Sequence, residues 1–195
     1  NVSLNYSFSN VKSALTFSSF YNYVNDFIYI IPVRTTTTIA GDFPVWEYMQ
    51  ADANLYGFDV KYDKQYFDNF FIGQQFSLVK GHEISNDKPL INMPPANLKN
   101  SISYNFTDFN NLNISLESEY VFEQNEYPNT NFEIFIPTSE TYEMLDTSAP
   151  PEAYHLLNLS SSMRFNSKNG GKYKINLRVE NLFNNLYKDY LNRLR

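Results

Sequence analysis

Hydrophobic and polar residues alternate one by one over long stretches of this sequence. In Lys172–Asn181 the odd positions from Tyr173 to Val179 are hydrophobic, and the even positions from Lys174 to Glu180 are polar. A period of two is typical of a β-strand, whereas an amphipathic helix has a period of about 3.6 residues. The same alternation, strict or relaxed, predicts eight strands in an all-β protein: Val2–Phe8, Lys12–Ile31, Leu55–Tyr62, Phe71–Ile84, Ala96–Phe106, Asn113–Val121, Tyr154–Phe165 and Lys172–Asn181.

The links between these strands alternate between short and long. Short links, whose Asn, Asp and Gly residues favour tight hairpin turns, lie at Ser9–Val11, Asp68–Phe70, Thr107–Leu112 and Asn166–Gly171. Long links, which carry the prolines, lie at Pro32–Glu47, Ser85–Pro95 and Glu123–Ala153. Because proline removes a ladder hydrogen bond, we expect none inside a strand. This arrangement predicts an antiparallel up-and-down meander with the long loops at one rim.

The hydrophobic side of such a sheet faces inward in a soluble β-barrel and outward in a membrane barrel. On the polar side, ionised groups lie in the middle of strands at Asp59, Lys61, Lys99, Glu117, Glu119, Lys174, Arg178 and Glu180. Burying so many charges in a dry interior costs several kcal/mol for each unpaired group, whereas a wet or plugged lumen accepts them. The pattern therefore favours a transmembrane β-barrel whose hydrophobic side faces lipid.

Composition excludes several other classes of protein. The 15 Lys and Arg residues are outnumbered by 21 Asp and Glu residues, and the net charge of −6 argues against a nucleic-acid partner. The longest hydrophobic run, Phe27–Val33, is far shorter than the roughly 20 residues of a membrane-spanning helix. The chain has no cysteine and no recognisable phosphate-binding, hydrolase or zinc-protease motif. We therefore expect neither an enzyme nor a cofactor.

The end of the chain does not have the pattern of a strand. Asn192–Arg195 follow the last predicted strand at the rim that carries the long loops. An open sheet edge in lipid would leave backbone groups without hydrogen bonds. We therefore expect the chain to be part of a longer barrel whose closing strand is absent from this sequence.

The stretch Val179–Arg195, VENLFNNLYKDYLNRLR, resembles the region before the last strand of TonB-dependent outer-membrane receptors. A run of the form N-L-F/L-D/N-x-x-Y recurs in that family, and Asn181–Tyr187 is similar to it. Three further segments resemble the same family in the expected order: Ala53–Val60 (ANLYGFDV), Pro89–Ser101 (PLINMPPANLKNS) and Glu152–Ser160 (EAYHLLNLS). Their PPA and YHLLNL parts look most like the branch that contains zinc and haem receptors.

The resemblance implies a fold for the whole chain. Receptors of this family are plugged barrels of about 22 strands, so residues 1–195 would form about eight of those strands, without the plug domain and without the final strand. The long links would be extracellular, and the short links would be periplasmic.

The resemblance also implies a function, which is uptake of a scarce metal ion or metal complex (siderophore, haem or zinc) energised through TonB. The implied location is the outer membrane of a Gram-negative bacterium. The implied partners are outer-membrane lipid and lipopolysaccharide, the receptor's own plug domain and remaining strands, the TonB complex through the missing N-terminal region, and the metal substrate. Two alternatives remain open: a small structural or adhesive outer-membrane barrel without transport, and a soluble β-barrel ligand binder.

Two histidines, each close to a carboxylate, are candidate ligand-binding residues. His82 precedes Glu83 at the loop end of its strand, and His155 follows Glu152 at the start of a strand on the same rim. Imidazole and carboxylate together suit a divalent transition metal. The simpler interpretation is that both histidines are solvated rim residues.

A second candidate group consists of charged residues on the polar side of the last strands. We expect these residues to face the lumen, where they would pair across strands or contact the plug; they are Glu117, Glu119, Arg178 and Glu180.

Overall fold

Eight long strands form one antiparallel sheet in the computed structural model, which describes residues 1–39, 41–129, 131–136, 140–145, 150–166 and 170–191. No helix occurs in those ranges. In chain order the strands are β1 (Val2–Ser9), β2 (Ser13–Thr38), β3 (Gly41–Tyr66), β4 (Phe70–Glu83), β5 (Lys88–Pro89), β6 (Asn97–Phe106), β7 (Leu112–Val121), β8 (Phe132–Ile136), β9 (Thr141–Leu145), β10 (Tyr154–Asn166) and β11 (Lys172–Val179). The alternation of the sequence thus predicted the class of fold correctly.

Strands that follow one another in the chain are neighbours in the sheet, as the meander requires. The order is β1-β2-β3-β4-β6-β7-β10-β11, and the short β5 pairs with the end of β4. Strands β8 and β9 form a separate hairpin inside the predicted link Glu123–Ala153. The eight predicted strands all occur, and the short links connect them at one rim. Part of the link Asn166–Gly171 and all of Asn192–Arg195 lie outside the described residues.

The prediction of a long loop at Pro32–Glu47 was wrong. β2 and β3 instead continue as a paired hairpin up to Thr38 and Gly41, and Pro32 and Pro44 both lie inside strands. The pairing of β3 with β4 ends at Ala53, so Pro44 lies beyond it in an edge part of β3, where an outward N–H group needs no strand partner. Pro32 lies at a second register shift of β2, between Pro32 and Arg34, and a bulge likewise tolerates proline.

One extra residue in β2 forms a bulge at the start of this extension. The pairing register shifts between Val24 and Phe27, and Asp26 adopts a positive φ of 55°. The Asp52 carboxylate of β3 accepts hydrogen bonds from the Asp26 N–H at 3.1 Å and from the Tyr23 hydroxyl at 2.8 Å. Because side-chain direction has period two, the extra residue exchanges the faces of the β2 residues from Phe27 to Pro32, up to a second register shift between Pro32 and Arg34.

The pairing register sorts the side chains into two faces, here called the polar face and the apolar face. One row across the polar face runs through Ser7, Thr16, Lys61, Gln75, Lys99 and Glu119. The adjacent row on the apolar face runs through Tyr6, Phe17, Val60, Phe76, Leu98, Tyr120 and His155. Apolar-face side chains such as Leu4 and Leu177 are 61% and 65% exposed. The sheet therefore has one polar face and one hydrophobic face, and side chains of the hydrophobic face are largely exposed.

A small buried cluster lies on the polar face near the long-loop rim. Leu90, in the link between β4 and β6, is 2% exposed, and its N–H donates to the Gly81 carbonyl at 2.8 Å. A Cβ at Gly81 would lie within 3 Å of side-chain atoms of Met93, Leu55 and Leu90. Glycine at this position therefore allows the link to fold back onto the polar face of the sheet.

The family-like tail forms a compact turn after β11. Asn181 and Asn184 have positive φ angles, and the Asn181 side chain both accepts from Asn185 N–H at 3.0 Å and donates to its carbonyl at 2.9 Å. The Leu182 N–H donates to the Leu157 carbonyl at 2.8 Å. Asparagine tolerates the left-handed conformation better than most residues, which explains the asparagines of this motif.

Candidate functional site

The four charged residues predicted to face the lumen do lie on the polar face, in two groups of ion pairs. Lys99 and Glu119 are direct cross-strand partners, with Nζ and Oε1 3.0 Å apart. Arg178 lies between two carboxylates, with Nη2 3.8 Å from Glu117 Oε1 and Nε 2.8 Å from Glu180 Oε1. Opposite charges directly across strands stabilise a sheet modestly. Contact of these residues with a plug domain stays a prediction.

Asn158 connects the second of these groups to the tail. Its side chain is almost fully buried, and Nδ2 donates to Glu117 Oε1 at 3.3 Å while Oδ1 accepts the Asn181 N–H at 2.9 Å. A buried amide whose donor and acceptor are both satisfied fixes the orientation of its neighbours. Glu117 on the polar face is thereby positioned by the turn that follows β11.

His82 and Glu83 point to opposite faces of β4. His82 lies on the apolar face, where its ring stacks on Tyr56 at 6.2 Å and Nε2 is 3.3 Å from Glu126 Oε2. Glu83 lies on the polar face, is 7% exposed and accepts a hydrogen bond from the Tyr29 hydroxyl at 3.0 Å. Tyr29 reaches that face because of the bulge at Asp26. These two neighbours in sequence therefore do not point toward a common ligand.

His155 also lies on the apolar face. Its Nε2 atom is 2.8 Å from Ser118 Oγ, and its ring contacts those of Tyr120 and Phe183. Glu152, just before β10, is exposed. In the part of the chain that the structure describes, no three His, Cys, Asp or Glu side chains are grouped so that they could hold a metal ion. The ligand-binding role of His82, Glu83, His155 and Glu152 stays a prediction.

Glu126 is one of several glutamates in the long link Glu123–Ala153, which the sequence indicated only as an acidic, solvated loop. Its carboxylate forms an ion pair with Lys80 and also approaches His82. The hydrogen bond from Lys80 lowers the pKa of Glu126 below its ordinary value, and the neighbouring imidazole acts in the same direction. The segment that carries Glu126 is held from the other side as well, since Gln124 Nε2 donates to the Met93 carbonyl at 2.8 Å. Glu126 thus fastens the chain after β7 to the apolar face of β4.

Among the described residues, none forms a helix with the length and hydrophobicity needed to cross a bilayer. A comparison with curated protein sequences gives no match. Among solved structures, the chain is similar to one called copper transporter OprC, with a TM-score of 0.75 and 16% sequence identity. The match covers 97% of this chain and 26% of that protein. At this level of identity the likeness concerns the fold alone.

The sequence model of one family covers nearly the whole chain. Its description is "TonB dependent receptor-like, beta-barrel", and it matches residues 1–182. That match agrees with the antiparallel meander and with the separation of the two faces. The branch of zinc and haem receptors is not distinguished by it. The chain belongs to the family of TonB-dependent receptor-like β-barrels.

Proposed function

We propose that this chain is part of the barrel of an outer-membrane receptor that imports a scarce metal ion or a metal complex, energised through TonB. The family is one of transport receptors of the Gram-negative outer membrane rather than of enzymes. The observation that carries the proposal is the division of the sheet into a charged, polar face and an exposed, hydrophobic face across all eight strands. Such a sheet suits a wall between lipid and an aqueous or plugged lumen.

A working receptor also needs a plug domain, further barrel strands and a TonB-binding region. The chain spans about a quarter of the length of the transporter that it resembles in fold. We therefore assign residues 1–195 to a partial barrel, and the plug domain, the remaining strands and the TonB-binding region to other parts of the full-length protein. Outer-membrane lipid and lipopolysaccharide would contact the apolar face. The polar face, with Glu117, Glu119, Arg178 and Glu180, would contact the plug.

The substrate class that we propose is supported by the family and by the kind of protein that the chain resembles in fold. The name of the structurally similar protein, copper transporter OprC, supports a metal as cargo. Siderophore, haem and zinc are the substrates that we propose on the basis of the sequence. Of the four proposed rim ligands, Glu83 lies on the polar face, which faces the lumen in this proposal, whereas His82 and His155 lie on the apolar face.

The decisive experiment deletes the gene for the full-length protein and measures the metal content of cells grown with limiting zinc, iron or haem. We expect the content of one metal to fall, and to recover when the gene is returned to a strain with intact TonB. Unchanged content for every metal source would support the structural or adhesive barrel instead. Recovery without TonB would contradict the proposed energy source.

The rim histidines are tested in the same assay by His82→Ala and His155→Ala in the full-length protein. If they bind the cargo, each substitution lowers uptake at limiting metal, and excess metal restores it. Lys12→Ala is a suitable control, because Lys12 lies in a short link at the other rim in an exposed ion pair of small energetic value. Uptake equal to that of the control would leave the histidines without a transport role.

A further inference from the structure

An open groove of about 500 Å³ lies on the apolar face, across β2, β3 and β4. Its walls include the side chains of Phe17, Phe58 and Leu78. Ser19 lies directly opposite Phe58 in the pairing of β2 with β3 and is too short to fill the space beside that ring. The groove is therefore hydrophobic and is kept open by one small side chain.

The end of the groove nearer the long-loop rim carries hydrogen-bond donors. Lys80 is part of its lining, and His82 follows two residues later on the same face of β4. Both side chains meet a single carboxylate, since Glu126 pairs with Lys80 and lies 3.3 Å from His82 Nε2. The Lys80 and Glu126 side chains are 33% and 40% exposed. An anion arriving from solvent can therefore reach both donors by displacing Glu126.

The depth of this site matches the boundary of a bilayer. Lys80 lies ten residues along β4 from Phe70, the first residue of that strand. A tilted transmembrane strand crosses the hydrocarbon core in about 9–11 residues. The groove would then lie in the hydrocarbon region, and Lys80 and His82 would lie at the level of lipid headgroups.

We propose that this groove binds a single lipid, with an acyl chain against Phe17, Phe58 and Leu78 and a phosphate group on Lys80 and His82. Glu126 holds the two donors when the lipid is absent and competes with the phosphate for them. The inference rests on the outer-membrane location in the proposed function. The proposal assigns one specific lipid-binding site to the apolar face, which would otherwise make only non-specific contacts with lipid.

Native mass spectrometry of the full-length protein in a neutral detergent tests the site, with dipalmitoyl phosphatidic acid and dipalmitoylglycerol as probes. We expect the phosphate-bearing probe to bind more tightly by about tenfold or more, as two charge-assisted hydrogen bonds permit. Ser19→Leu fills the groove and should weaken that binding by about tenfold. The matched control is Ser161→Leu, which makes the same change on the apolar face of β10, away from the groove.

Glu126→Gln should change the affinity for phosphatidic acid in the opposite direction to Ser19→Leu. Without the competing carboxylate, phosphatidic acid should bind more tightly, while dipalmitoylglycerol should bind as before. Equal binding of the two probes, equal effects of Ser19→Leu and Ser161→Leu, or complete displacement of the lipid by inorganic phosphate alone would each overturn the proposal. A protein that binds the lipid as expected but does not support metal uptake would contradict only the proposed transport function.

Discussion

At the scale of single residues, Gly57 in the middle of β3 is tightly constrained. A Cβ at this position would meet the carbonyl oxygen of Leu78 in β4 and the ring of Phe20 in β2. The carbonyl belongs to a backbone that is paired along its length and cannot move aside alone. We expect Gly57→Ala to lower the stability of the folded full-length protein by about 1–3 kcal/mol, as overpacking generally does. Urea unfolding followed by heat-modifiable gel mobility measures the loss.

The control for this change is Gly171→Ala. A Cβ there would find its nearest neighbour, Tyr173 Cε2, at an ordinary 3.4 Å. If both variants unfold at the same urea concentration, close packing at Gly57 is not the reason for its glycine.

Glu126 is expected to make the segment after β7 sensitive to acid. Its pKa lies below the ordinary value of 4.5, chiefly because of the hydrogen bond from Lys80. A carboxyl whose pKa is lowered by folding stabilises the structure above its unfolded pKa, and this contribution is lost as the pH falls through the folded pKa. Hydrogen exchange in residues 122–129 should therefore increase as the pH is lowered below 4.5, after correction for the intrinsic rate.

Two variants separate this effect from general acid unfolding. Glu126→Gln should show the faster exchange already at neutral pH, whereas Glu123→Gln, at an exposed neighbour, should behave like the unchanged protein. Acid sensitivity that persists in Glu126→Gln would assign the effect to another group.

Some of these residue positions could be predicted from the sequence, and others could not. Period two alone implies that His82 and Glu83 point to opposite faces, so their separation was visible in the sequence pattern. The pairing of His82 with Glu126 was not, because 44 residues separate them and a solvated acidic loop has no preferred partner. The contact of Tyr29 with Glu83 depends on the bulge at Asp26, for which the sequence shows no distinct signal.

At the scale of elements, β11 provides the clearest test of which face meets lipid. Leu177 lies on the apolar face and is 65% exposed. Leu177→Arg would place a charge in hydrocarbon near the middle of the strand, at a cost of about 2–4 kcal/mol at the bilayer midplane. Asn176→Arg should be tolerated, because Asn176 lies on the polar face between Lys174 and Arg178. The measurement is the yield of folded barrel by heat-modifiable gel mobility, for each variant in the full-length protein.

Leu177→Arg and Asn176→Arg introduce the same side chain at neighbouring positions, so any difference in yield reports only the face to which each residue points. Equal yields would mean that β11 does not face a membrane. A lower yield for Asn176→Arg would mean that the apolar face points inward, as in a soluble β-barrel.

The strands could be predicted from the alternation of hydrophobic and polar residues, because burial on one face imposes that alternation. The order of the strands in the sheet could be predicted from the short links. The extended hairpin of β2 and β3 could not be predicted. Pro32 and Pro44 normally indicate a break in a strand, and only the sheet topology shows that Pro44 lies beyond the pairing of β3 with β4 and that Pro32 lies at a register shift of β2. Whether a proline is tolerated in a strand depends on the strands beside it, which local sequence does not specify.

At the scale of the whole molecule, the asymmetry of the two rims predicts an orientation. We expect Pro32–Glu47, Ser85–Pro95 and Glu123–Ala153 to be extracellular, with Ser9–Val11, Asp68–Phe70, Thr107–Leu112 and Asn166–Gly171 periplasmic. Protease added to intact cells should therefore cut within Glu123–Ala153, which includes the β8–β9 hairpin. Cleavage confined to Asn166–Gly171 would show the opposite orientation.

The length of the β2–β3 hairpin determines which part of the protein antibodies and bacteriophages would contact first at the cell surface. Each of its strands has 26 residues, or roughly 85 Å along the strand, whereas a crossing of the bilayer uses only about 10 of them. The rest would stand above the membrane as a stiff arm with a threonine-rich tip. Antibodies and bacteriophage tail fibres would encounter this arm before the rim of the barrel. An antibody raised against residues 34–46 should therefore label intact cells, and variation among strains under immune or phage selection should concentrate there.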